Sequence, residues 1–393
     1  MRYRNIQGLR AIAALMVVSV HIFQGNAPMH AHWAKPYSFI GGLGVDIFFV
    51  ISGFIIYNVT RRTIASMDAV GRWRAVYEFA VKRFMRIYPL YWIVFAASCL
   101  VMAWAPPSAP PHEPLLLLLS LIDNVPNFCV YVAWTLTYEV YFYAVASLSL
   151  LLFARKAMAG LTIWFAILGA ATLLGLWLPW GKPLDFVFAP IVLEFLLGIA
   201  VAVLIDRDFH RFHGALLAGA LIWISIGTLF LRPSEFDLHA AQWGMPAAIY
   251  RTFALHIVCR GIPAAIFIYG IVVLEIRQRW IMPRALQYLG NASFSIYLWH
   301  AVVFYAVAEM FIRLGWMGVV SSTGLTAVMV AIGLGVGLLS YHFFEKPSLR
   351  LLGKTLVARI PRETQAGAAI ATGKTIRCSR WLSATAAESP LNP

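Results

Sequence analysis

Arg10 and His21 stand eleven positions apart in the first apolar stretch of the chain. At about 100° per residue that is close to three full turns. Both side chains therefore fall on one stripe of a helix, about 16 Å apart along its axis. The residues between them, Ala11 to Val20, are apolar or small. An imidazole can take a proton from a hydroxyl near neutral pH, which makes His21 a candidate general base. An ionisable group inside an apolar span is a functional-site candidate by default. The plain alternative is a histidine satisfied by a neighbouring helix.

Four further polar groups interrupt the apolar stretches. The first is the run Gly41 to Gly53, which contains Asp46; its small residues allow close helix packing, and a carboxylate beside His21 would fix the imidazole tautomer and strengthen it as a base, the alternative being that Asp46 caps or packs the helix start. The second is Arg83 with Arg86, three apart on one face, a pairing suited to phosphate groups. Taken without the other groups, it reads better as ordinary basic flanking residues with an aromatic belt. The third is Trp134 to Tyr143, where Glu139 needs a partner or a proton and Tyr138 is a candidate lining residue. The fourth is Leu289 to His300, whose Ser293, Ser295 and His300 could line a polar cavity or bond helix to helix. Glu194, the His256/Arg260 pair, and His342 with Glu345 are expected to be structural.

The elements that must hold these groups are membrane spans. The 393 residues are 61% hydrophobic and 12% charged, with mean hydropathy +0.76. Soluble domains carry about 25% charged residues, so a globular enzyme with one anchor is excluded. Ten stretches are long enough to cross a bilayer: roughly 8–25, 39–59, 86–104, 135–154, 160–178, 188–205, 214–231, 251–274, 292–312 and 320–343. With the N-terminus inside, all of the 31 Lys and Arg residues except Lys35, Lys182, Arg232, Arg251, Arg260 and Arg313 gather on the cytoplasmic side. The formal net charge of +14 is thus a topogenic signal and not a nucleic-acid footprint. The expected fold is an all-α polytopic integral membrane protein of about ten transmembrane helices, N-in and C-in.

Cys99, Cys129, Cys259 and Cys378 lack zinc or disulfide spacing. The basic N-terminus has no small-x-small cleavage site after its apolar run and reads as a retained first span. The loop from Ala105 holds a proline run and then Leu115 to Ile122, too short to cross, so a brief interfacial or re-entrant helix is expected on the outer side. Residues 1–350 form the expected transmembrane domain. Residues 351–393 form an expected cytoplasmic tail, disordered by composition. No internal repeat is visible.

Taken in order, these motifs resemble the membrane acyltransferase family 3. The marks are Arg10 with His21, the Gly44 to Phe54 run, Arg83 with Arg86, and the Leu289 to His300 run, across about residues 4–350. The Trp134 to Tyr143 run is most similar to the branch that acetylates bacterial exopolysaccharides. The resemblance implies transfer of an acyl group, usually acetyl, from cytoplasmic acyl-CoA to a sugar hydroxyl of an exopolysaccharide, a lipopolysaccharide or a lipid-linked precursor. It implies acyl-CoA as co-substrate, a bacterial inner-membrane location, and carbohydrate and membrane lipid as partners. Neither nucleic acid nor a metal is expected. A homo-oligomer or a glycan-assembly partner is compatible with it. Some relatives carry a C-terminal esterase-like domain, for which the sequence after the tenth span has no room.

On this reading His21, oriented by Asp46, is the base or acyl acceptor, and Arg83 and Arg86 hold the phosphates of CoA. Arg10 flanks the pantetheine, and Glu139 acts on the acceptor sugar from the opposite entrance. The competing readings are a polysaccharide-precursor transporter or flippase, and a succinyl or other acyltransferase acting on a glucan or a small lipophilic molecule.

Overall fold

The computed structural model describes residues 3–24, 41–106, 115–121, 129–175, 184–230, 255–316 and 319–357. Among these residues the fold is all-helical, with no β-strand. The principal helices are α1 (Arg4–Gln24), α2 (Leu43–Val70), α3 (Arg72–Trp104), α4 (Leu115–Ser120), α5 (Trp134–Phe153), α6 (Ala157–Gly175) and α7 (Leu193–Asp206). They continue with α8 (His213–Phe230), α9 (Ile262–Ile276), α10 (Arg284–Asn291), α11 (Ser293–Arg313), α12 (Ser322–Ser340) and α13 (Lys346–Val357). Seven helical stretches among the described residues are long and apolar enough to cross a membrane, and one of them, Tyr131–Gly175, contains both α5 and α6. Their exposed faces carry Leu100, Leu148, Leu152, Ile163, Leu173 and Leu339, a surface suited to lipid and not to water. The chain is a multi-pass membrane protein.

Small residues set how closely the central helices approach. Gly44 backs onto α1, where a Cβ would meet the Ala13 carbonyl oxygen at 2.4 Å. On another face of α2, Gly53 lies against α7, and a Cβ there would meet the Phe195 carbonyl oxygen at 2.0 Å. Gly198 returns the contact from α7, with a Cβ position only 1.9 Å from the Val50 carbonyl oxygen. Only glycines permit this backbone-to-backbone approach. The start of α1 is pinned from the other side of the bundle. The Arg4 and Asn5 backbone amides donate to the Glu275 carboxylate (2.8 and 2.7 Å), and the Asn5 amide group bonds the Ile271, Trp280 and Met282 backbone. Those contacts satisfy donors that a helix N-terminus leaves unpaired.

Of the two forms expected for the short helix after α3, the structure takes the re-entrant one. The carbonyls of Leu118, Leu119 and Ser120 accept from the Tyr91 hydroxyl, the Trp92 indole (3.1 Å) and the Tyr88 hydroxyl (2.6 Å). Tyr91 lies thirteen residues back from Trp104, about 20 Å along the helix, so α4 turns back beside α3. Its last carbonyls are satisfied by side chains, as non-spanning backbone at that depth requires. At the other end of the chain, helix continues through α13 to Val357, past the point where a tail was expected to begin. The proline run at 107–111 and the remainder of the tail, 358–393, lie outside the described residues.

Candidate functional site

One cavity of roughly 450 Å³ opens between α1, α2, α3, α5, α11 and α13, within the range usual for small-molecule sites, about 300–1,000 Å³. Its walls follow from helical spacing. Thr135, Glu139 and Tyr143 are four apart on α5, Lys82, Arg83 and Arg86 share a face of α3, and Val45, Phe48, Ser52 and Ile55 form a stripe of α2. Arg10 enters from α1, Ser293, Phe294 and Tyr297 from α11, and Leu349 and Leu352 of α13 border the basic end.

Charge is concentrated at that end. Lys82, Arg83, Arg86 and Arg10 line the cavity together with the carboxylate of Glu139. Arg86 is already committed: its guanidinium bonds Glu345 at 2.8 Å and lies 5.3 Å over the Phe294 ring. Glu345 in turn accepts from the Ser295 hydroxyl at 2.6 Å. Arg83 differs. It lies 5.4 Å over the Tyr143 ring, and its Nε has no hydrogen-bond partner among the described residues. The Tyr143 hydroxyl donates to Glu139. Cations with unspent donors above apolar walls suit an anion that carries an uncharged arm.

At the far end Thr135 and Tyr297 join their hydroxyls at 2.7 Å, and Tyr297 also donates to the Val132 carbonyl at 3.1 Å. One turn beyond Tyr297 stands His300, with ring centroids 5.9 Å apart. His300 Nε2 meets His21 Nδ1 at 3.1 Å. His21 Nδ1 also lies 3.0 Å from the Val17 carbonyl oxygen, and His300 Nδ1 lies 3.3 Å from that of Ile296. A carbonyl only accepts, so each Nδ1 carries its hydrogen, His300 Nε2 accepts, and Nε2 is the basic nitrogen of His21. That tautomer is inferred from the hydrogen bonds. His21 itself does not line the cavity; Tyr297 and then His300 stand between them.

Several expectations need correction. Asp46 does not orient His21. Gly44 faces α1, and two residues further on a helix has turned about 200°, so Asp46 points away from α1 and toward α7. There its carboxylate lies 3.0 Å from His256 Nδ1, with Glu194 3.6 Å from the same nitrogen. The neighbour that orients His21 is His300. Glu139 does not occupy an opposite entrance; it shares one cavity with Arg10, Arg83 and Arg86. Of the four candidate lining residues, Ser293 lines the cavity. Tyr138 is buried among Phe49, Trp134 and Phe186, Ser295 is turned to Glu345, and His300 is turned to His21. The sequence reading assigned no role to Lys82, Thr135, Tyr143 or Tyr297 in the wall. The i, i+4 spacing from Glu139 could have found Thr135 and Tyr143.

The described acyltransferase domain model of family 3 matches residues 3–341 of the chain. The acyltransferase MdmB of Streptomyces mycarofaciens is 26% identical over 404 residues, covering 90% of this chain and 93% of that protein. The exopolysaccharide production protein ExoZ of Rhizobium meliloti (strain 1021) is 30% identical over 334 residues, covering 79% and 90%. The peptidoglycan O-acetyltransferase OatA of Listeria monocytogenes is 31% identical over 90 residues, which is 23% of this chain and 12% of that protein. No solved structure gives a significant match.

Proposed function

Because the chain belongs to acyltransferase family 3, we propose that it transfers an acyl group, acetyl first, from cytoplasmic acyl-CoA to a sugar hydroxyl. The acceptor class is a surface glycan or its lipid-linked precursor, in keeping with the names of ExoZ and OatA. The bundle then lies in a bacterial inner membrane with about ten crossings, both termini inside, and the Lys82/Arg83 end of the cavity toward the cytoplasm. The observation that carries this reading is the cavity itself: cations with unspent donors at its mouth, apolar walls, and a helix leading from Arg10 toward an imidazole.

Arg83, Lys82 and Arg10 hold the phosphates of the donor at the mouth. The stretch from Arg10 to His21, about 16 Å along α1, is comparable to the reach of a pantetheine arm. Thr135 and Tyr297 must part for the thioester to meet the histidines. His21 Nε2 then takes the hydroxyl proton as the sugar oxygen attacks the carbonyl; the C–O bond forms, the C–S bond breaks, and the thiolate leaves to be protonated. His300 steadies the His21 ring. Glu139, on the cavity wall, accepts a hydrogen bond from the acceptor.

The test is the purified full chain in lipid nanodiscs with [¹⁴C]acetyl-CoA and a glycan acceptor. Label moving to an ester on the glycan supports the reading. Protein that binds no acyl-CoA while moving a lipid-linked glycan between leaflets overturns it in favour of a transporter.

A further inference from the structure

Away from the cavity, α2, α7 and the start of α9 bring together four ionisable side chains. Asp46 and Glu194 are 0% exposed, His256 is 2% and Arg260 is 4%. Ligand atoms of Asp46, Glu194 and His256 all lie within 4.8 Å of one another. Apart from the His256 ring nitrogen, 3.0 Å from Asp46 and 3.6 Å from Glu194, the carboxylate oxygens of Asp46 and Glu194 have no hydrogen-bond donor among the described residues. Rigid elements hold the group: α2 and α7 touch backbone to backbone at Gly53 and Gly198. Ahead of α9, Ile257–Gly261 forms a π-helical turn, a widening that recurs at functional sites. Gly261 leaves room there, since a Cβ would stand 3.1 Å from Glu194 Oε1.

That spacing would suit a metal ion, but the imidazole is turned the wrong way for one. Arg260 Nη1 lies 3.4 Å from His256 Nε2. A guanidinium has donors and no acceptor, so Nε2 must offer its lone pair to it. The hydrogen therefore sits on Nδ1, facing Asp46 and Glu194, and Nδ1 has no lone pair to give a metal. The same contact argues against an imidazolium, which would set two cationic donors face to face.

With the imidazole neutral and Arg260 charged, two ionised carboxylates leave one excess negative charge inside the bundle. A buried ion costs several kcal/mol after relaxation. Both carboxylates stand in the first turn of a helix, where the dipole returns up to about 2 kcal/mol in favourable buried geometry. Burial outweighs that. A single positive charge restores neutrality, and a proton supplies it without needing a ligand set. Asp46 has the shorter contact with the His256 N–H, 3.0 Å against 3.6 Å for Glu194. The carboxyl with less support is Glu194.

We propose that Asp46, Glu194, His256 and Arg260 form a proton-binding site inside the membrane domain, with the proton held on Glu194 and shared toward Asp46. Among the described residues, the charged and titratable groups facing it are Asp46 from α2, Glu194 from α7, Arg260 from the π turn and His256 just before it, with Cys259 adjacent in sequence. Arg10 and His21 of α1 belong to the cavity and to the histidine pair.

The test is infrared spectroscopy of the full chain in nanodiscs at neutral pH, unlabelled and with ¹³C-carboxyl glutamate. The expected result is a protonated carboxylic acid band that shifts on deuteration and on glutamate labelling. It is lost in Glu194→Gln and kept in Glu139→Gln and Glu345→Gln. If Glu194→Gln fails to fold, Glu194→Asp replaces it: the expected result is then an acid band that no longer shifts on glutamate labelling, and a glutamate-labelled band that persists in Glu194→Asp overturns the proposal. A native protein without a glutamic acid band, a band that survives Glu194→Gln, or a site silent in the infrared whose thermal stability rises with Na⁺ overturns the proposal.

Discussion

Arg83 and Arg86 look equivalent by type and spacing, yet their surroundings predict opposite consequences of removing them. Arg86 is paired at 2.8 Å with Glu345, and the two side chains are 23% and 3% exposed. Arg86→Ala leaves that carboxylate buried with only the Ser295 hydroxyl. Breaking a buried pair costs about 3–5 kcal/mol, and the partial exposure of Arg86 places the expected loss toward the lower end. Arg83 has no such partner; its stacking on Tyr143 contributes about 0.5–1 kcal/mol. Its unspent donors would instead meet an anionic ligand, where a charge-assisted hydrogen bond contributes about 1.5–3 kcal/mol. That corresponds to roughly 10- to 150-fold in Kd. Arg83→Ala should therefore fold normally and lose acyl-CoA affinity, whereas Arg86→Ala should unfold at distinctly lower temperature. Glu345→Ala combined with Arg86→Ala should cost less than the two single changes together, because no unpaired charge remains. The assays are thermal unfolding in one detergent and an acyl-CoA binding titration. Equal loss of stability in the two arginine variants, or strict additivity of Arg86→Ala with Glu345→Ala, would refute the reasoning.

Three other outcomes are expected. His21→Ala should abolish acyl transfer while leaving insertion and stability intact, and His300→Ala should lower kcat by less than His21→Ala while leaving KM for acyl-CoA unchanged; normal ester formation by the His21 variant would remove it from the chemistry. Glu139→Gln should reduce acceptor turnover more than acyl-CoA binding, measured as KM for each substrate, and equal losses would contradict a role toward the sugar. Gly198→Ala places a Cβ 1.9 Å from the Val50 carbonyl oxygen and must separate α2 from α7, at a cost of about 1–3 kcal/mol or more, read as a lowered unfolding midpoint; a native-like midpoint would mean that the two backbones lie further apart.

What the sequence determined by itself was everything periodic or ordered along the chain. Apolar stretches of sufficient length made membrane helices inevitable, because backbone polar groups inside lipid must be satisfied within the segment. The eleven-residue spacing placed Arg10 and His21 on one helix, the ordered motifs carried the family, and Leu115 to Ile122 was visibly too short to cross. Tertiary structure alone decided which faces met. Asp46 and His21 lie in adjoining helices, yet Gly44 takes the α1 contact and so turns Asp46 toward Glu194 and His256, hundreds of positions away in some pairings and unmarked by any local pattern. His300 reaches His21 only because α11 packs beside α1, and Arg86 is neutralised only because Glu345 returns from the far end of the chain. Spacing fixes the angle of a side chain about its own helix axis. Its partner is fixed by which neighbour that face is packed against, and packing is a property of the whole bundle.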